Sequence, residues 1–100
     1  MAPEIKRYRL TVRGQVQGIG LRWQIKLAAE KLGLGGWVKN QAKVDELVAE
    51  VEGELESVRK FISWLRTNPG AAEIKDIQII ELWPRRESAF KIKQSSWPFL

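Results

Sequence analysis

The residues whose types and spacing could do chemistry lie in Gly14-Gln-Val-Gln-Gly-Ile-Gly-Leu-Arg22, which holds three of the chain's eight glycines and ends on an arginine. The chemistry they suit is anion binding. Glycines let successive backbone N–H groups turn toward a single anion. If a helix starts here, its first N–H groups are unpaired and its dipole favours negative charge at that end. Arg22 adds a planar cation suited to a bidentate phosphate contact. The segment is neither a Walker loop nor a dinucleotide fingerprint, because Gly-x4-Gly-Lys-Ser/Thr and Gly-x-Gly-x2-Gly are both absent. On spacing alone it reads equally as a tight strand-to-helix turn with Arg22 a solvated first-turn residue.

The rest of the composition narrows the chemistry. Cysteine and histidine are both absent. That excludes disulfides, a thiol nucleophile, a zinc–thiolate site and the usual neutral-pH general base. Catalysis would have to come from positioning and charge, or from carboxylates, lysine or hydroxyls. The formal charge of +5 suits an anionic partner without separating a phosphorylated small molecule from nucleic acid. No apolar run approaches the roughly 20 residues of a membrane span. The start of the chain, Met-Ala-Pro-Glu-Ile-Lys, lacks the apolar core of a secretory signal. The expectation is a cytoplasmic protein without membrane contact.

The segments that must position the loop follow from periodicity. Tyr8, Leu10 and Val12 alternate with Arg7, Arg9 and Arg13, so a strand is expected from Ile5 to Arg13. Its arginine row reads as a solvated face paired with acids on a neighbouring strand. Leu21, Ile25, Ala28, Ala29 and Leu32 recur at helical spacing, and Gly33 stands where a helix C-cap belongs. Trp23 falls outside that stripe and is expected to pack at the helix edge. A second strand is expected from Trp37 to Gln41, a polar turn from Ala42 to Glu46, and a third strand from Leu47 to Val51. A second helix runs from Glu54 to Arg66, burying Val58, Phe61, Ile62 and Leu65, and Asn68-Pro69-Gly70 ends it. A fourth strand spans Ile74 to Leu82; its apolar phase changes at Ile79-Ile80, which predicts a bulge or burial on both faces there. Phe90 and Ile92 make a short last strand. The order β-α-β-β-α-β-β predicts an α+β domain over 1–100. It is a ferredoxin-like sandwich, with two helices on one face of a mainly antiparallel sheet and residues 94–100 as a C-terminal extension.

Two segments resemble the acylphosphatase family. The loop is similar to the family signature Gly-x-Val-Gln-Gly-Val-x-Phe-Arg, with Gly14, Val16, Gln17, Gly18 and Arg22 in matching places. Ile19 stands for a valine and Leu21 for the usual phenylalanine. Gly36-Trp-Val-Lys-Asn40 is similar to the family's second segment, Gly-aromatic-Val-Lys/Arg-Asn. The family usually has a glycine in the turn before the third strand. This chain has Asp45 near that place and one residue more between Asn40 and Gly53.

The resemblance implies the same fold and a hydrolase of acyl phosphates. It implies a phosphate loop formed by Gln17, Gly18, Ile19, Gly20, Leu21 and Arg22, with Arg22 and Asn40 catalytic. Asn40 would orient the attacking water, as the family's asparagine does. No metal and no cofactor enter this scheme. Inorganic phosphate would be product and inhibitor, and the protein a monomer or weak dimer. Asp45, Glu46, Glu52 and Glu54 read as solvated, and Lys39 as either an attractor of anions or a plain surface residue. The alternatives are a ferredoxin-like nucleic-acid binder and a cradle that binds phosphate without turnover or serves another phosphorylated group, such as a carbamoyl one. Against the nucleic-acid reading, the chain has no RNA-recognition motif.

Overall fold

Alternation along the first strand sets the layout. In the computed structural model, which describes residues 2–17, 20–43, 45–67 and 73–94, this strand (β1) runs Ile5–Gln15. Helix α1 (Leu21–Lys31) follows, then β2 (Gly35–Asn40), β3 (Glu46–Glu54), helix α2 (Leu55–Thr67), β4 (Glu73–Leu82) and β5 (Phe90–Ile92). The strands form one sheet in the order β4-β1-β3-β2-β5. All neighbours are antiparallel except β2 and β5, which are parallel. This is the expected ferredoxin-like α+β fold. No helix among the described residues is long and apolar enough to cross a membrane. The apolar C-terminal extension expected at 94–100 lies, from residue 95 on, outside the described residues.

Register sorts the strand residues onto two faces. Leu10 pairs with Ala49, Val12 with Leu47 and Val38 with Ala49, so these side chains share a face. All are buried, and they form one core with Leu21, Ile25 and Ala29 of α1 and Val58, Phe61 and Leu65 of α2. Both helices therefore cover this face with the stripes that their 3.6-residue periodicity predicts. Trp23 differs from its expectation: it is 61% exposed and packs little. It lies two helical steps (about 160° the short way round) from both Leu21 and Ile25, outside the arc that faces the sheet.

The opposite face carries charge. Arg7 is paired in register with Glu52, Arg9 with Glu50 and Arg13 with Glu46, so the arginine row of β1 meets a carboxylate row on β3. The pairing was expected, and so was solvation, which Arg9 and Arg13 keep in part while Arg7 and the carboxylates lose it. Arg7 is fully buried, as are Glu50 and Glu52 within 3%, and Glu46 is 9% exposed. For Arg7 and Glu52 the cause is the connection between β4 and β5, which folds back over them. The Arg85 and Arg86 N–H groups donate to the two carboxylate oxygens of Glu52, each at 2.8 Å, and Glu87 pairs with Arg7 at 2.7 Å.

The expected irregularity in β4 occurs elsewhere. Arg9 to Arg13 pair without a break with Ile80 to Asp76, and the register shifts only beyond Arg13, where Gly14 meets Ile74 and Lys75 is the extra residue. Ile79 and Ile80 are not buried on both faces; they are 38% and 55% exposed. As part of an edge strand, neither lies under a full layer of neighbours, so apolar residues of both phases are tolerated. The shift sits at Gly14 for a steric reason. Its φ of 140° favours glycine, and a Cβ there would run into the Glu73 carbonyl oxygen.

Candidate active site

The termini of α1 and β2 bring the two halves of the site together. At the end of α1, Gly33 N–H donates to the Glu30 carbonyl at 3.0 Å and Leu34 N–H to Ala29 at 2.8 Å, the crossed pair of a Schellman turn. Leu34 is buried behind it. Three residues thus reverse the chain, so β2 runs back along α1. Eleven helical residues and six strand residues span similar lengths, about 17 Å and 20 Å. Asn40, the last residue of β2, therefore ends beside the first turn of α1, where Arg22 lies. Asn40 shares the helix-covered face with Val38 because their positions differ by two.

At the start of α1, Gly20 is the N-cap, with a left-handed φ of 74°. Among the described residues no side chain caps the helix, and its first turn holds no acidic residue. The N–H groups there and the positive dipole end are left for an outside anion. Leu21 is buried in the core, so its side chain anchors the turn while only its N–H can serve the loop. An apolar replacement at this position is accommodated for that reason. Arg22 is half-buried and pairs with no carboxylate among the described residues. Gly18 and Ile19, expected within the loop, lie outside the described residues.

Asn40 has a distinctive environment. Among the described residues, its Oδ1 is the one buried side-chain oxygen or nitrogen without a hydrogen-bond partner. A buried carbonyl left unpaired costs about 1–3 kcal/mol, so such an atom is poised to accept a hydrogen bond from a small donor such as water. Lys39 is not part of this arrangement. It is paired in register with Val48 on the opposite face, where its ammonium lies 5.5 Å from the Trp37 ring centre, with Lys93 at 4.6 Å.

The turn from β2 to β3 departs from its expectation. Strand β3 begins at Glu46, with Asn40 opposite Leu47. Asp45 does not replace a glycine by adopting its conformation: among the described residues Arg86 is the one non-glycine with positive φ. The turn is held from outside instead. Gly14 N–H donates to the Asp45 carbonyl at 2.9 Å, and the Gln17 side-chain amide reaches the Lys43, Glu46 and Gln41 carbonyls at 2.7, 2.8 and 3.1 Å. The resemblance placed Gln17 in the phosphate loop and gave its side chain no partner. A surface concavity of about 430 Å³ against Ile5, Glu81, Leu82 and Trp83 lies at the other end of the sheet. A phosphoryl group held by N–H donors does not require such a volume.

Comparison with known proteins places this geometry in context. A family model described as Acylphosphatase matches residues 8–92. An acylphosphatase of Pyrobaculum calidifontis is 37% identical over 76% of this chain and 69% of its own length. The crystal structure of acylphosphatase from Bacillus subtilis superposes with a TM-score of 0.82 at 27% identity, covering 90% of this chain and 99% of that one. Full-length HypF, crystallised in a phosphate- and nucleotide-bound form, superposes with a TM-score of 0.87 at 31% identity; 96% of this chain corresponds to 13% of that longer protein.

Proposed function

The chain belongs to the acylphosphatase family, and from that premise we propose that it hydrolyses acyl phosphates at the junction of α1 and β2. An acyl phosphate is a mixed anhydride whose carboxylate leaves readily, so strong acid catalysis of departure is not required. What accelerates the reaction is holding the phosphoryl oxygens and placing water in line. The amides of the segment from Gln17 to Leu21 and the Arg22 guanidinium would hold the oxygens. Asn40 Oδ1 would accept a hydrogen bond from the water and point its oxygen at phosphorus. The new P–O bond forms as the bond to the carboxylate breaks with its electron pair. One water proton stays on the phosphate and the other passes to solvent.

The observation that carries this reading is the unpaired, buried Asn40 Oδ1 beside a helix start that has neither cap nor acid. No step in the scheme calls for a metal. Inorganic phosphate, which carries the same oxygens as the transferred group, is expected to compete with substrate. A cytoplasmic setting and a monomeric or weakly dimeric state belong to the same proposal. The test is hydrolysis of benzoyl phosphate with EDTA present, with phosphate as inhibitor. Turnover in EDTA with competitive inhibition is expected. A requirement for added magnesium or zinc would overturn the metal-free scheme, and phosphate binding without turnover would favour a simple binding module.

A further inference from the structure

We infer that Gln17 is a positioning residue whose side chain locks the turn after Asn40 to the phosphate loop, and so fixes where the asparagine points. The inference rests on the reading of Asn40 given above. Gln17 lies two residues past the end of β1, and Gln41, Lys43 and Glu46 belong to the connection from β2 to β3. The carbonyl oxygens of these three residues converge on one nitrogen, Gln17 Nε2, at 3.1, 2.7 and 2.8 Å. A primary amide has two hydrogens, so the two shorter contacts take one each and the longest shares. The orientation of the carboxamide is fixed chemically, because its own oxygen facing three carbonyl oxygens would be repulsive.

One of those carbonyls belongs to Gln41, the residue bonded to Asn40. The turn has few bonds of its own: Gln41 N–H donates to the Glu46 carbonyl at 3.1 Å and Glu46 N–H to Lys43 at 3.3 Å. It lacks the glycine with which a short turn relieves strain. Without Gln17, the convergent carbonyls lose the amide between them and repel, with Glu46 and Lys43 keeping only the longer bonds from Gln41 and Glu46 N–H. Asn40, whose Oδ1 has no protein partner, has little else to hold its χ angles. The Gln17 side chain thus couples the residue proposed to place water to the loop proposed to hold phosphate, without reaching the reacting atoms itself.

The test uses the full chain with Gln17→Met, which keeps length and removes both donors, and Gln17→Glu, which places a carboxylate against the three carbonyls. For both, kcat on benzoyl phosphate is expected to fall about ten- to hundredfold, the cost of a slight misplacement. In the neutral Gln17→Met the inhibition constant of phosphate should stay within about twofold, since the backbone N–H groups, the helix start and Arg22 are untouched. Gln17→Glu should recover activity as pH falls and its carboxyl gains a proton to donate, an acid limb that Gln17→Met lacks. Amide exchange supplies a readout independent of turnover. The Gln41 and Glu46 N–H groups should exchange faster in both variants, while those of α2 keep the parent's protection.

Parent-like exchange at Gln41 and Glu46 would overturn the inference, as would phosphate affinity falling in step with kcat in Gln17→Met. Should the parent itself show no turnover, the proposed function fails. The exchange rates and the side-chain amide resonances of Asn40 then still decide whether Gln17 holds the turn.

Discussion

Arg22 and Asn40 sit at adjacent ends of α1 and β2 yet differ in what they can offer a reacting phosphate. In the proposed scheme Arg22 would present a fixed positive charge to substrate, transition state and product alike. Arg22→Ala is therefore expected to weaken phosphate binding by about 1.5–3 kcal/mol, the worth of hydrogen bonds to a charged group, and to lower turnover as well. Asn40 presents an unpaired carbonyl, useful only while water attacks. Asn40→Ala is expected to lose about 10²-fold in kcat while phosphate affinity largely survives. Isothermal titration with phosphate beside steady-state kinetics separates the two. Equal losses of phosphate affinity in both variants would show that the roles are not divided in this way. These two residues could be proposed from the sequence because each lies inside a local motif. The side-chain role of Gln17 could not, because its partners are 24 to 29 residues away and converge only once β1 and β3 have paired.

Among the secondary-structure elements, the strands and helices were legible in number, type and order, since each is a run of apolar residues at period two or 3.6. What periodicity could not supply was the depth of the charged face. Alternation places Arg7 opposite the core face, but its burial comes from the connection after β4, which contains no periodic pattern. Glu52 shows the consequence. Burial pushes its carboxyl up, but the Arg85 N–H, Arg7 and the Arg86 N–H outweigh that and hold it below the ordinary range. Glu50 is likewise held down, with Arg7 and Arg9 outweighing its burial.

Groups with lowered folded-state values stabilise the fold above the unfolded carboxylate pKa of about 4.3, and that contribution disappears as pH falls through the folded values. Stability to urea should therefore decline on acidification below about pH 4. Arg7→Met leaves buried carboxylates without their partner and should cost about 3–5 kcal/mol at neutral pH. In the variant Glu52 and Glu50 lose the lowering effect of Arg7 and titrate higher than in the parent, so the deficit narrows as the medium becomes acidic. Urea midpoints for parent and variant at about pH 7 and pH 4 check the sign. A deficit of constant size would mean that lost packing, rather than unpaired charge, is the cause.

For the molecule as a whole, the question is what a net charge of +5 is for. With that charge and the arginine row of β1, a ferredoxin-like nucleic-acid binder is the alternative to weigh. The folded arrangement removes the basis for it. Arg7 is buried between Glu50, Glu52 and Glu87, Arg9 is bound to Glu50, and Arg13 to Glu46. A phosphate backbone would have to displace these carboxylates, two of them nearly inaccessible, and leave them unpaired. Trp37, the aromatic that a base might stack on, is 8% exposed, with Lys93 lying over its ring. Even nonspecific binders reach dissociation constants of about 10⁻⁴ to 10⁻⁶ M at physiological salt by neutralising many phosphates at once. This chain is expected to bind a mixed-sequence duplex or its single strands more weakly than about 10⁻⁴ M in about 0.15 M salt. Fluorescence anisotropy across a salt series measures it, with inorganic phosphate as competitor. Tighter binding that weakens steeply with salt would restore the nucleic-acid reading. If such binding were also abolished by Arg22→Ala, the cradle itself, rather than the sheet face, would be the anchoring point.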